Sequence, residues 1–370
     1  MSVEPARLLL ETLRINRQWT DARLREAWLT VPIDGLRELV SYEQITIWLY
    51  CRIRELGVGD ELPPSFWTWL IRRARVESAN SLLVEAEAIR IAELLRAGGV
   101  PAVFLKGIAR RLLADRFPYI EARATIDVDV LLPADQASSV WEDLKKSGYK
   151  FVADPSLTPV DLWHLVPLAG ANRVAVELHT STSREVRPAD AWRRYSFESI
   201  GVKRGDLELR VPSATEMLWH AISHAQQDGI NAWRLRCFQD AATLMTEDAD
   251  LDWEVIADRL NSAEIRDRST TVRWLAAGAE LAGRPLPESI GAPPRPFPAL
   301  RMLRWRLAAF RKAGERPRLL EKLLDEGTRA ELSLPMQEQV AGIGSRLRFR
   351  RRSATVVARS LYYAWRIARG

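Results

Sequence analysis

Apolar residues recur at helical spacing through the first hundred positions, most clearly at Val84, Ala88, Ile91 and Leu95, and the run stops at Gly98-Gly99. Ser65, just after Pro63-Pro64, is the expected cap of that helix. The period then changes. Residues 100–105 are short, apolar and partly β-branched, which predicts a buried strand, and residues 107–114 resume helical spacing. Lys106-Gly107 is therefore the turn between strand and helix. Residues 124–132 alternate Asp127 and Asp129 with Ile126, Val128 and Val130 before becoming wholly apolar, the pattern of a strand with one functional face.

A helix follows from Pro133 through Val140 and Leu144 to Gly148. Residues 149–152, 162–168 and 174–180 read as further strands, with Gly170-Ala-Asn172 as a hairpin turn. From Pro212-Ser213 the spacing is helical again, with Met217, His220, His224, Leu235, Phe238 and Leu244 directed inward. Six prolines between Pro285 and Pro298 mark a connection to a last helical segment. The expected fold is α+β, a small mixed β-sheet core flanked by helical N- and C-terminal regions. Its segments are 1–98 helical, 99–211 the α/β core, 212–283 helical, 284–300 the Pro-rich connection, and 301–370 helical with a basic tail.

At 370 residues and 47% hydrophobic, the chain is long enough for two or more packed units and lies far from the composition of disorder. Its formal net charge of +6 favours anionic partners without choosing among nucleotides, nucleic acid and acidic lipid headgroups. Cys51 and Cys237 stand far apart, which argues against a disulfide framework or a zinc knuckle and predicts two buried thiols. Glu4 and Glu11 interrupt any signal-like segment, and no apolar run reaches the roughly 18 residues of a membrane span, so a cytoplasmic location is expected.

On a strand, Asp127 and Asp129 project from one face with α-carbons roughly 7 Å apart. Like charges embedded among apolar neighbours need compensation. Either a divalent cation supplies it, Mg²⁺ being suited to one or two carboxylates plus water and phosphate oxygens, or Lys106 and Arg123 do so in a salt-bridge network. Glu177 and His179 repeat the spacing on a second strand, with Val174, Val176 and Leu178 opposite. Gly107 allows close backbone approach and Lys106 adds charge, as phosphate binding requires. His220 and His224 are one helical turn apart but have no glutamate between them in the metalloprotease pattern, so both are assigned to packing or support. Gly342 and Gly344 lack the strand and third glycine of a dinucleotide site. Residues 346–370 carry arginines and no acid, a composition suited to nucleic acid, to an anionic membrane surface, or to a solvated helix end.

Taken in order, Leu105-Lys106-Gly107, Arg123, the stretch from Ile126 to Leu132 around Asp127 and Asp129, Gly148-Tyr149, and Val176-Glu177-Leu178-His179 resemble the DNA polymerase β-type nucleotidyltransferase superfamily. Within it, the chain is similar to a bacterial family of uncharacterised nucleotidyltransferases. The resemblance spans roughly residues 80–245 and takes in Pro212-Ser213, Glu216, His224 and Asp240. It implies that Asp127, Asp129 and Glu177 are catalytic and hold metal, and that Lys106, Gly107 and Arg123 bind phosphate. His179, His224 and Asp240 are implied as supporting residues. Glu177 is a ligand or a general base, and His179 orients the acceptor or is an inward histidine satisfied by hydrogen bonds. Two departures stand out: Ile108 replaces the superfamily's serine, and the gap from Gly107 to Asp127 is longer than usual.

The resemblance implies a Mg²⁺-dependent enzyme, with Mn²⁺ as substitute, that binds a nucleoside triphosphate such as ATP. It would move a nucleoside monophosphate to an acceptor that is a small molecule, peptide, protein or RNA. The competing expectations are a catalytically degenerate binder of nucleotide or partner, and a basic helical scaffold with an incidental acidic pair.

Overall fold

Two features organise the fold, a long helix and the small sheet beside it. The structure is a computed structural model and describes residues 3–116, 119–152, 163–228, 233–246, 250–262, 265, 267–292 and 299–313. Helices α1 (Pro5–Leu13), α2 (Asp21–Thr30), α3 (Leu36–Glu43) and α4 (Thr46–Leu56) precede the 34-residue α5 (Pro64–Ala97). Arg52 of α4 is buried and donates to the carbonyls of Thr12 and Arg14 at 2.9 and 2.6 Å, tying the end of α1 to α4. Val84, Ala88, Ile91 and Leu95 of α5 are all buried, as their spacing predicts. The cap is different: Pro64 already occupies the first helical position behind Pro63, leaving Ser65 inside the helix. Proline suits that position because its φ is preset and its missing N–H has no partner to lose.

Strand β1 (Val103–Phe104) leads into α6 (Lys106–Leu112), then β2 (Asp127–Leu131), α7 (Ala134–Lys146), β3 (Lys150–Phe151), β4 (Leu168–Ala169) and β5 (Ala175–His179). These strands form one mixed sheet in the order β1-β2-β5-β4-β3. Only β2 and β5 are parallel. Val128, Val130, Val176 and Leu178 are buried on the face opposite the acids. The expected strand over 162–168 is cut down to an isolated bridge between His164 and His179 and the short β4, and residue 162 lies outside the described residues. Arg173 donates its N–H to the Gly170 carbonyl at 3.0 Å, closing the turn expected there.

After α8 (Pro188–Phe197), β6 (Ile200–Arg204) and β7 (Leu207–Val211) form a separate hairpin about Gly205, whose φ is +60°. Helices α9 (Ala214–Asp228), α10 (Leu235–Leu244), α11 (Trp253–Leu260), α12 (Arg268–Ala282) and α13 (Ala299–Ala313) complete the described chain. Helices α10 and α12 meet closely at Gly278, where a β-carbon would lie 2.6 Å from that of Ala241. The fully buried pair Arg306 and Glu43, at 2.6 Å, ties α13 to α3. No described helix is long and apolar enough to cross a membrane. Cys51 and Cys237 are half-buried rather than buried. The basic tail and residues 293–298 of the Pro-rich connection lie outside the described residues.

Candidate metal and nucleotide site

The parallel register sets Asp129 directly beside Glu177 and Leu131 beside His179, so Asp127, Asp129, Glu177 and His179 share one face of the sheet. Asp129 lies at the bottom and is fully buried, while the Glu177 side chain is 22% exposed at the rim. Asp127 is half-buried and paired in register with Ala175, which brings no polar group to it. Ligand atoms of Asp129, Glu177 and His179 all lie within 4.8 Å of one another, a group of the size that holds one metal ion.

Lys106 does not extend towards solvent. Its Nζ lies 2.6 Å from Asp129 Oδ1 and 3.8 Å from Glu177 Oε2. The backbone makes this possible: Lys106 has a φ of +50°, and Leu105 donates its N–H to the Asp129 carbonyl at 2.9 Å. A residue other than glycine in the left-handed region is uncommon and is held there by its surroundings. Here it aims the ammonium at the acids. The expected turn residue is thus the first residue of α6, and its ammonium lies against the carboxylates.

His179 Nε2 lies 2.8 Å from Asp129 Oδ1 and 3.6 Å from Glu177 Oε2. Burial and Lys106 push the imidazole pKa down, but hydrogen bonds to Asp129 and Glu177 outweigh them and hold it above its ordinary value. Burial likewise opposes ionisation of Asp129, yet Lys106 and His179 hold its carboxyl well below the carboxylate range. Glu177 is lowered too, with burial overcome mainly by the His179 hydrogen bond. Asp127 goes the other way: burial and the neighbouring Asp129 charge push it up to about 6 against the pull of Lys106 and Arg123. Two adjacent acids with opposite shifts are what a shared, crowded charge site produces.

A divalent cation fits this donor set. Asp129 Oδ2 is buried with no hydrogen-bond partner among the described residues, and the set offers the carboxylate oxygens that Mg²⁺ or Mn²⁺ takes. Lys106 adds positive charge beside the same carboxylates.

A second ionic cluster lies behind the start of α6. Asp240 of α10 takes Arg123 Nε at 2.6 Å and Arg110 Nη1 at 2.9 Å, and its own carbonyl accepts from Arg110 Nη1 at 2.6 Å. Arg123, expected to meet phosphate, has its guanidinium bound to Asp240 and packed against Gly107. Asp240 is accordingly a clamp joining α10 to α6. A β-carbon at Gly107 would lie 2.4 Å from Arg123 Nη1 and 3.0 Å from Thr125 Cγ2, so this glycine makes room for the guanidinium. Gly107→Ala should displace Arg123, costing about 1–3 kcal/mol and lowering the melting temperature measured by circular dichroism.

Ile108, in the position of the superfamily's serine, is fully buried and presents nothing polar. Of the histidine pair on α9, His220 is buried, packs edge-on to Tyr195 and has its pKa held well below the ordinary value. Burial is the main cause, followed by the Lys106 and His224 charges. His220 is thus within reach of the site's charges, and His224, one turn along α9, is half-buried. Glu216 is buried and paired with Arg259. The sequence reading missed Arg110. Its signal was an arginine four residues after Lys106 within an apolar helical run.

A family model described as "Uncharacterised nucleotidyltransferase" matches residues 30–278, more than half of the chain, and includes every residue of both clusters. No curated protein matches.

Proposed function

Since the chain belongs to this nucleotidyltransferase family, we propose that it moves a nucleoside monophosphate from a nucleoside triphosphate to an acceptor hydroxyl, using a divalent cation held by Asp129 and Glu177, whose ligand atoms lie together with that of His179, and by Asp127 on the same strand face. The observation that carries this reading is the buried, half-satisfied Asp129 beside Glu177 on parallel strands, with Lys106 neutralising both. When bound, Mg²⁺ or Mn²⁺ would neutralise the triphosphate and polarise the reacting phosphorus.

The chain's own groups do the rest. Lys106, released from Asp129, turns its ammonium to the phosphate oxygens. Glu177, whose side chain is 22% exposed at the rim, accepts the proton of the attacking hydroxyl. The acceptor oxygen bonds to the α-phosphorus as the bond to the bridging oxygen breaks, and pyrophosphate leaves with the electron pair. His179 keeps Asp129 ionised and fixed in orientation.

The test is pyrophosphate release from each of the four common nucleoside triphosphates, with Mg²⁺ or Mn²⁺, over a panel of hydroxyl acceptors. The expected result is release that needs both metal and acceptor. Metal-dependent nucleotide binding without release from any combination would leave a nucleotide-binding protein, the reading that the buried Ile108 favours.

A further inference from the structure

The arginines behind Gly107 outnumber their acids. One stripe of α10 presents the half-buried Arg236, Cys237 and Asp240, at positions i, i+1 and i+4. It faces Arg110 and Arg123, because Asp240 binds both of them. Two guanidiniums therefore bind one carboxylate, and a third, that of Arg236, lies within electrostatic reach of it. Among the described residues, Asp127, within electrostatic reach of Arg123, is the next acid, and counting it still leaves one positive charge unmatched. Any cation drawn to Asp127 increases that surplus.

Arg236 is the unmatched member. It makes no hydrogen bond or ion pair among the described residues, and its Nε is buried without a partner. Asp240, one turn along the same helix, is already shared by Arg110 and Arg123. The Thr125 hydroxyl, buried beside Gly107, has no partner either. The field of Arg236 is felt in the cluster: it adds to the lowering of both Arg110 and Asp240, although burial dominates in Arg110 and the paired arginines dominate in Asp240. An unmatched guanidinium beside two paired ones, with donors to spare, suits an anion that accepts several hydrogen bonds at once.

We propose that Arg236, backed by the Arg110–Asp240–Arg123 cluster, is the binding site for the outer phosphates of the triphosphate. This rests on the nucleotidyl-transfer reading, and it assigns the leaving pyrophosphate end of the substrate to α10 rather than to the Lys106-Gly107 turn. The α-phosphate then lies at Asp127 and Asp129 while the β- and γ-phosphates run towards α10.

Inorganic tripolyphosphate is the probe, titrated calorimetrically into the full-length protein without divalent cation, so that neither a nucleoside nor the acids' metal contributes. Wild type should bind it, more weakly as salt rises. Arg236→Ala should weaken binding by about tenfold to a hundredfold, the worth of a charge-assisted hydrogen bond. Arg236→Lys should recover part of it. Arg72→Ala, which removes the same charge from the exposed face of α5, should change little.

Equal binding by wild type and Arg236→Ala would overturn the assignment, as would an equal loss in Arg72→Ala. Absence of tripolyphosphate binding in a protein that still releases pyrophosphate would overturn it while leaving nucleotidyl transfer intact. Arg236-dependent tripolyphosphate binding with no metal-dependent turnover would sustain the anion site and remove the reaction.

Discussion

Asp129→Ala should lower metal-dependent pyrophosphate release by about a thousandfold or more, a loss of several kcal/mol of transition-state stabilisation. Asp129 is the fully buried acid to which Lys106 and His179 both bind, so no neighbour can stand in for it. Its effect on stability should be smaller than its burial suggests. Removing the charge leaves Lys106 and His179 without their shared acceptor, but it also relieves the repulsion felt by Asp127 and Glu177. Lys106, 23% exposed, can turn to solvent. Asp129→Asn tests the division directly: activity should be lost as in the alanine variant, while the melting temperature stays close to wild type. Activity within tenfold of wild type in both variants would rule out Asp129 as a metal-holding acid.

Asp240→Ala should do the reverse, costing more stability than chemistry. It strips Arg110 and Arg123 of the carboxylate they share, in a cluster where Arg110 is buried and already lowered to about 10, by burial first and the Arg123 charge after it. Breaking a buried ion pair from one side costs about 3–5 kcal/mol. The acid dependence has a definite sign. Arg110 and Arg123 overcome the burial penalty and hold the Asp240 pKa below its ordinary value. Its stabilisation is therefore fully present above the unfolded-state carboxylate pKa of about 4 and lost as pH falls through the lowered folded value. The stability gap between wild type and Asp240→Asn, measured by urea unfolding, should be widest near neutral pH and close in acid. A gap independent of pH would mean that the carboxylate charge is not what holds α10 to α6.

The two clusters differ in how far the sequence disclosed them. Asp127, Asp129, Glu177 and His179 were legible because strand periodicity puts alternate residues on one face, and four polar side chains among valines and leucines stand out. That Asp129, rather than Asp127, lies deepest was not legible. It follows from register, which pairs Asp129 with Glu177 and Asp127 with Ala175, and register is a tertiary fact.

The direction of the Lys106 side chain was hidden for a similar reason. A Lys-Gly pair between strand and helix suggests phosphate, and only the positive φ of Lys106 turns the ammonium back onto the acids. The Arg123–Asp240–Arg110 cluster joins residues far apart in the chain, with no periodicity linking them. The β6–β7 hairpin, by contrast, could have been read. Leu207, Leu209 and Val211 alternate with polar residues after Gly205-Asp206, a turn signal that was overlooked.

The single parallel pairing among the described residues, β2 with β5, also sets when the site comes into being. Parallel neighbours cannot be joined by a tight turn, and here the path between them takes in α7, β3 and β4. Until that detour is folded, Asp127 and Asp129 are solvated and far from Glu177, and their mutual crowding does not yet exist. Contacts with such long sequence separation form late because chain entropy is spent before they are made. In kinetic terms, substitutions at Asp129 belong to the descending side of the folding barrier. Whatever stability Asp129→Ala costs should appear in how fast the native protein comes apart and leave the rate at which it assembles nearly untouched.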